Sequence, residues 1–224
     1  MSEHSELRNT GMIEAVIFDM DGVLVDSEPL HRRAEREVVR ELGFSIPTEE
    51  HNAFARTTDK FMWGNLKERF QLPQSLDDIT RLKQLTYRSM AQGNLHPMTG
   101  VLELVPRLAL RYPLAVASSA VMDEIDLTVD SLGIRPYFRV FVSGRDVPNS
   151  KPAPDIFLEA ARRLGKQPSA CLVFEDALTG ATAAKRAGMR VVAVPHALTQ
   201  HFDFSAVADY RIPNLTYFDE KFLE

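Results

Sequence analysis

The chain has 224 residues, 45% of them hydrophobic and 25% charged, enough for a real core beneath an ordinary polar surface and for one large domain or a domain with an insert. A formal net charge of -5 argues against a nucleic-acid footprint, and no apolar segment is long enough to span a membrane. The single cysteine, Cys171, lies in an apolar run and excludes an internal disulfide; with a polar stretch over residues 1–11 that lacks a signal-peptide core, it predicts a cytoplasmic protein with a loose leader.

The first element is Ala15-Val16-Ile17-Phe18, an apolar run too short for a buried helix and therefore read as a buried strand. It ends abruptly in Asp19-Met20-Asp21-Gly22, where the glycine lets the backbone turn. Asp26 or Ser27 can cap a helix that tolerates Pro29 in its first turn. Leu30, Ala34, Val38 and Leu42 then recur at helical spacing up to Gly43. Further helix starts stand at Pro47-Thr48 and at Thr57-Thr58-Asp59, the latter feeding Met62, Leu66 and Phe70, and another helix spans 77–92. No strand is expected between 27 and 95, so this stretch is predicted to be a helical insert. Phe61, Met62 and Trp63 read as its core.

From His96 onward strands and helices alternate. Helices are expected at 101–112, 123–132, 154–164 and 179–187. Strands are expected at 114–118, 140–142, 171–174 and 191–194, and the tail over 208–212 can add one more. Repeated β-α units imply an α/β fold, a doubly wound parallel sheet with helices on both faces.

Three strands end in polar residues: Asp19/Asp21, Ser118-Ser119 and Glu175-Asp176. Asn149-Ser150-Lys151-Pro152 adds a fourth polar element. The carboxyl ends of parallel strands share one edge of a sheet, where α/β proteins bind ligands, so these residues can converge. Two carboxylates one residue apart need a cation or a shared proton at neutral pH, and oxygen donors favour a hard divalent ion, most simply Mg²⁺. Hydroxyls and a lysine suit phosphate oxygens. The set matches phosphoryl transfer, which needs charge neutralisation more than covalent help. Gly180 and Gly188 read as backbone devices, and Cys171 as core.

On these residues the chain resembles the haloacid dehalogenase superfamily, in its phosphatase and phosphomutase branch. Phe18-Asp19-Met20-Asp21-Gly22-Val23, Ala117-Ser118-Ser119, Ser150-Lys151-Pro152-Ala153-Pro154-Asp155 and Phe174-Glu175-Asp176-Ala177-Leu178-Thr179-Gly180 look like the four family signatures, in order, over 13–194. The resemblance implies a core domain of 12–26 and 96–224 and a small α-helical cap of 27–95. It implies Asp19 as nucleophile and Asp21 as general acid and base. Mg²⁺ would be held by Asp19, the Asp21 main-chain carbonyl and Asp176, with Glu175 direct or through water. Phosphate would be bound by Ser118, the backbone beside Ser119, and Lys151. The cap would close over the site and read the leaving group. His31 and Arg56 are candidate substrate contacts there. A solvated histidine explains His31 equally well, and an ordinary surface role is the simpler explanation of Arg56.

The expected activity is a Mg²⁺-dependent phosphomonoesterase acting on a small phosphorylated metabolite of the sugar-phosphate kind, as a monomer with no nucleic-acid or membrane partner. Asp21 separates the chain from dehalogenases and phosphonate hydrolases, which lack that second acid. A β-phosphoglucomutase-like activity is the alternative, although Val121-Met122 stands where sugar phosphomutases of this branch carry Lys-Asn. A non-catalytic phosphate sensor is the alternative of another class, and the intact acidic set argues against it.

Overall fold

The computed structural model describes residues 11–54 and 59–224. The expected leader over 1–10 and the candidate Arg56 lie outside the described residues. The chain divides into two compact units, one formed by Ser27–Leu95 and the other by the chain up to Asp26 and from His96 onward.

The first of these contains helices α1 (Glu28–Glu41), α2 (Thr48–Ala53), α3 (Asp59–Phe70) and α4 (Leu76–Ala91). Pro29 sits in the first turn of α1, and Ala34 and Val38, one turn apart, face inward. Ser27 occupies the N-cap of α1, but its side chain makes no capping bond. At α4 the cap is complete: Ser75 Oγ accepts the Asp78 N–H at 3.1 Å, and the Asp78 carboxylate accepts the Ser75 N–H at 3.4 Å. Val38, Met62, Trp63, Leu66 and Ile79 pack together as the core of this unit. Phe61 departs from its expected core position and is 56% exposed, because it lies on the outer face of α3 beside the buried Met62 and Trp63. His31 stacks on Tyr87 with ring centroids 4.0 Å apart.

The second unit is built on strands β1 (Ala15–Phe18), β2 (Leu114–Ser118), β3 (Phe138–Ser143), β4 (Cys171–Glu175), β5 (Arg190–Ala193) and β6 (Tyr210–Arg211). They form one sheet in the order β3-β2-β1-β4-β5-β6, with every neighbouring pair parallel. Helices α5 (Val101–Ala109), α6 (Met122–Ser131), α7 (Asp155–Leu164) and α8 (Leu178–Arg186) complete it. Side chains alternate across the strands. Ala15, Ile17, Ala115, Ala117, Cys171 and Val173 meet the buried faces of α7 and α8. The intervening residues carry the aromatic packing, with Phe18 stacked on Phe174 at 4.7 Å. Cys171 is fully buried, as its apolar neighbourhood predicts.

The observed element ends differ from expectation where neighbours intervene. α5 stops at Ala109 because the N–H groups of Arg111 and Tyr112 both turn back to the Leu108 carbonyl, ahead of Pro113. β3 extends to Phe138–Ser143 because β2 offers partners along its length, from Leu114↔Phe138 to Ser118↔Ser143. The chain runs outward from β1 through β2 to β3, then returns to the other side of β1 with β4. The strand order therefore reverses between β1 and β4, and the crevice at their carboxyl ends is where such sheets bind ligands. Among the described residues, no helix is long and apolar enough to cross a membrane.

The helical unit also buries charge. Glu35 lies 2.9 Å from His51 Nε2 and accepts a hydrogen bond from Arg32 Nη1 at 3.2 Å, while Arg32 also donates to the His51 carbonyl. Burial opposes ionisation of Glu35, but His51, Arg32 and Lys83 outweigh it and hold the carboxyl below its usual range. A depressed carboxyl contributes stability above its unfolded value, about pH 4.3, and loses it as pH falls through the lower folded value. Acidification from pH 7 to 3 is expected to lower the urea midpoint of the wild type more steeply than that of Glu35→Gln. Equal slopes in the two proteins would remove Glu35 from the account.

Candidate active site

Asp19 follows β1 directly, and its N–H donates to the Phe174 carbonyl of β4 at 3.0 Å. The register Phe18↔Phe174 then sets Asp19 beside Glu175, the last residue of β4, with Asp176 next along the chain. All three acids are buried, and an oxygen from each lies within 4.8 Å of the others. Lys151 arrives from the loop after β3. Its ammonium donates to Asp19 Oδ1 and to Glu175 Oε1, each at 2.6 Å, with the Phe157 ring centroid 4.8 Å away. The second oxygen of Glu175 accepts the Ala177 N–H at 2.9 Å, so both of its oxygens are engaged.

Burial pushes the Asp19 carboxyl well above its ordinary value; Lys151 opposes this, and Glu175, Asp176 and Asp21 add to it. Glu175 is raised for the same first reason, burial, with Lys151 again opposing. Burial works against the charged form of Lys151 too, but Asp19 and Glu175 outweigh it and hold the lysine firmly protonated. With all three ionised, three acids against one lysine would leave two negative charges uncompensated in a buried site. A divalent cation offsets that excess, and the three carboxylates are hard oxygen donors of the kind Mg²⁺ takes. The donor set therefore fits the metal that the sequence suggested.

Asp21 is half-buried and lies outside this three-carboxylate group; its backbone forms a bridge with Val25. Ser118 is buried at the end of β2, where its Oγ accepts the Ala120 N–H at 3.1 Å, while Ser119 is exposed. Lys151, Asp19, Glu175 and Asp176 are thus drawn into one cluster, with Ser118 on the adjacent strand end. His31 belongs to the helical unit.

Two glycines are explained by what surrounds them. Gly22 has φ +79°, and a Cβ there would also lie 2.8 Å from Asp176 Oδ2 and 2.9 Å from His196 Cδ2. Gly180 was expected to serve the backbone conformation, yet it sits within α8 without a positive φ. Its role is space: a Cβ there would overlap the Glu175 carboxylate.

Other contacts were not legible in the sequence. His196, in the loop after β5, places Nε2 3.0 Å from Asp176 Oδ2. Ser143 donates its hydroxyl to the Ala120 carbonyl at 2.7 Å, tying down the loop that follows Ser118. The register Ser118↔Ser143 was the only signal for that contact, and it exists only once the strands pair.

Residues 16–194 match the model of the haloacid dehalogenase-like hydrolases. The chain belongs to this family. It is 35% identical to the protein CbbY of Rhodobacter capsulatus over 91% of this chain and 94% of that protein. It is 36% identical to the fructose-1-phosphate phosphatase YqaB of Escherichia coli K12, covering 80% of this chain and 95% of YqaB. A crystal structure of a CbbY mutant from Rhodobacter sphaeroides in complex with xylulose-(1,5)bisphosphate superposes with a TM-score of 0.80 at 31% identity, covering 92% of this chain and 96% of the other.

Crowding at Gly180 yields a prediction in which two effects oppose each other. Alanine is favoured over glycine within a helix by about 1 kcal/mol. Overpacking against Glu175 costs about 1–3 kcal/mol. Gly180→Ala is expected to destabilise the protein in urea unfolding, and a neutral or stabilised variant would show that Glu175 can move aside at no cost.

Proposed function

We propose that the chain is a Mg²⁺-dependent phosphatase of small sugar phosphates that works through an aspartyl-phosphate on Asp19. That it is a phosphomonoesterase rests on its family and on phosphatase relatives such as YqaB. The choice of a sugar phosphate follows the names of YqaB and of the ligand bound to CbbY. The observation that carries the mechanism is Lys151 held between Asp19 and Glu175 in a buried cluster of acids at the switch point.

In this proposal an Asp19 carboxylate oxygen attacks phosphorus, the bond from phosphorus to the sugar oxygen breaks, and Asp21 gives its proton to that leaving oxygen. Water then attacks the aspartyl-phosphate, giving its proton to Asp21, and the phosphorus bond to Asp19 breaks, restoring the carboxylate. Lys151 fixes the direction of Asp19 and opposes the rise that burial imposes on its carboxyl. Ser118 accepts the Ala120 N–H and so keeps its own hydroxyl proton for a phosphoryl oxygen, with the backbone beside Ser119 as a further donor. Mg²⁺, held by Asp19, Asp176 and the Asp21 main-chain carbonyl, would supply positive charge that lessens repulsion between the Asp19 carboxylate and the phosphoryl group. Glu175, with both oxygens already engaged, would reach the ion through water and chiefly hold Lys151. Substrate choice is assigned to the helical unit, with His31 and Arg56 as candidate contacts.

Phosphate release from sugar phosphates, nucleotides and other phosphomonoesters, with Mg²⁺ and with EDTA, tests this. We expect Mg²⁺-dependent release concentrated on a few sugar phosphates, abolished by EDTA and restored by added Mg²⁺. Asp19→Asn should fold normally and fall to background. Metal-independent release would overturn the metal assignment, and turnover in Asp19→Asn the covalent one. Isomerisation of a hexose phosphate with a bisphosphate activator, in place of free phosphate, would make the protein a mutase.

A further inference from the structure

The metal ligands assigned above come from β1 and β4, yet one carboxylate of the set is held by a third element. His196 lies 20 residues beyond Asp176, in the loop between β5 and β6, and places Nε2 3.0 Å from Asp176 Oδ2. Its position is set by its own turn. The His196 N–H donates to Thr199 Oγ1 at 3.0 Å, and its carbonyl accepts the N–H groups of Thr199 and Gln200 at 2.9 and 2.8 Å. The Gln200 carbonyl in turn accepts a hydrogen bond from Arg211 on β6 at 2.6 Å, which ties the turn to the sheet. Leu198 donates its N–H to His196 Nδ1 at 3.5 Å, a long contact that leaves Nε2 as the nitrogen bearing the proton. On the opposite side, Gly22 closes on both side chains, leaving no space for a Cβ between the turn after β1, Asp176 and the imidazole.

From this three-sided packing we propose that His196 is a positioning residue for the metal site: its Nε2–H sets the direction in which the Asp176 carboxylate presents its oxygens to the cation. The proposal rests on the reading of Asp176 as a Mg²⁺ ligand. A carboxylate on an otherwise open side chain rotates about its final torsion. A hydrogen-bond donor on one oxygen removes that freedom. Outer partners of this kind typically alter metal affinity by about 10–100-fold when removed.

The test is Mg²⁺ binding to the phosphate-free protein by calorimetry, alongside the thermal midpoint without metal and the Mg²⁺ dependence of p-nitrophenyl phosphate hydrolysis. In His196→Ala the Mg²⁺ Kd is expected to rise by about 10-fold or more. The metal-free thermal midpoint should change little, and kcat at saturating Mg²⁺ should stay within about threefold of the wild type, the affinity loss falling on the metal alone. His196→Gln, which returns a side-chain N–H near the same place, should recover most of the affinity. Thr199→Ala, which loosens the turn and leaves the imidazole present, should weaken Mg²⁺ binding by a smaller factor and serves if His196→Ala does not fold. An unchanged Kd in His196→Ala, or in Thr199→Ala where the first variant is unfolded, overturns the role of His196 while leaving the metal site standing. Equal losses in His196→Ala and His196→Gln also overturn it, because the donor would then not be what matters. A wild type that shows no Mg²⁺ binding at all brings down the metal reading itself, and this proposal with it.

Discussion

A lysine ammonium between two buried carboxylates is the interaction on which the site depends. Asp19 and Glu175 end neighbouring strands, and Lys151 reaches both at 2.6 Å from a loop 132 residues beyond Asp19. Without the lysine, three buried acids would face one another, and leaving one partner of a buried ion pair alone costs about 3–5 kcal/mol. With it, the cluster would still carry excess negative charge once all three acids are ionised. The site is therefore stable enough to fold and still electrostatically unsatisfied, which is the condition for holding a divalent cation and receiving an anionic substrate between them.

The sheet makes that arrangement possible. Every strand is parallel, so every carboxyl end lies on one edge, and the reversal of strand order opens a crevice at β1 and β4. Both faces of these strands are packed, by alternating small and large residues against α7 and α8 on one side and by stacked phenylalanines on the other. Glycine then sets the clearances. Gly22 admits Asp176 and His196, Gly180 admits the Glu175 carboxylate, and Gly144, in the loop after β3, lies against the Ser119 carbonyl with no space for a Cβ. Each marks a place where main chain approaches a functional group closely enough to aim it.

The helical unit solves a different problem. It has its own apolar core around Trp63, and it also encloses Glu35, His51 and Lys83, with Lys83 Nζ 3.1 Å from Asp59. Buried charge of this kind is weak evidence for stability, since apolar residues of similar size often serve as well. Its persistence in so small a unit fixes how α1, α2 and α4 meet, because misplacing any of them strands a charge away from both water and its partner.

The sequence alone determined the order and type of almost every element, because runs of four or five apolar residues and amphipathic spacing are local signals that survive without neighbours. It also determined the chemistry on offer, since the polar residues ending successive strands could be read directly, and with them the family to which the chain belongs. The extent of β3, the end of α5 and the exposure of Phe61 depended on partners that a linear reading does not contain. Only the tertiary structure decided which acids converge: Asp19, Glu175 and Asp176 form the buried group, while Asp21 stands outside it. It alone placed His196 on Asp176 and Ser143 on the loop after Ser118. Neither contact has a characteristic spacing, because each is made by the pairing of strands distant in sequence, and a side chain that acts through another leaves no motif of its own.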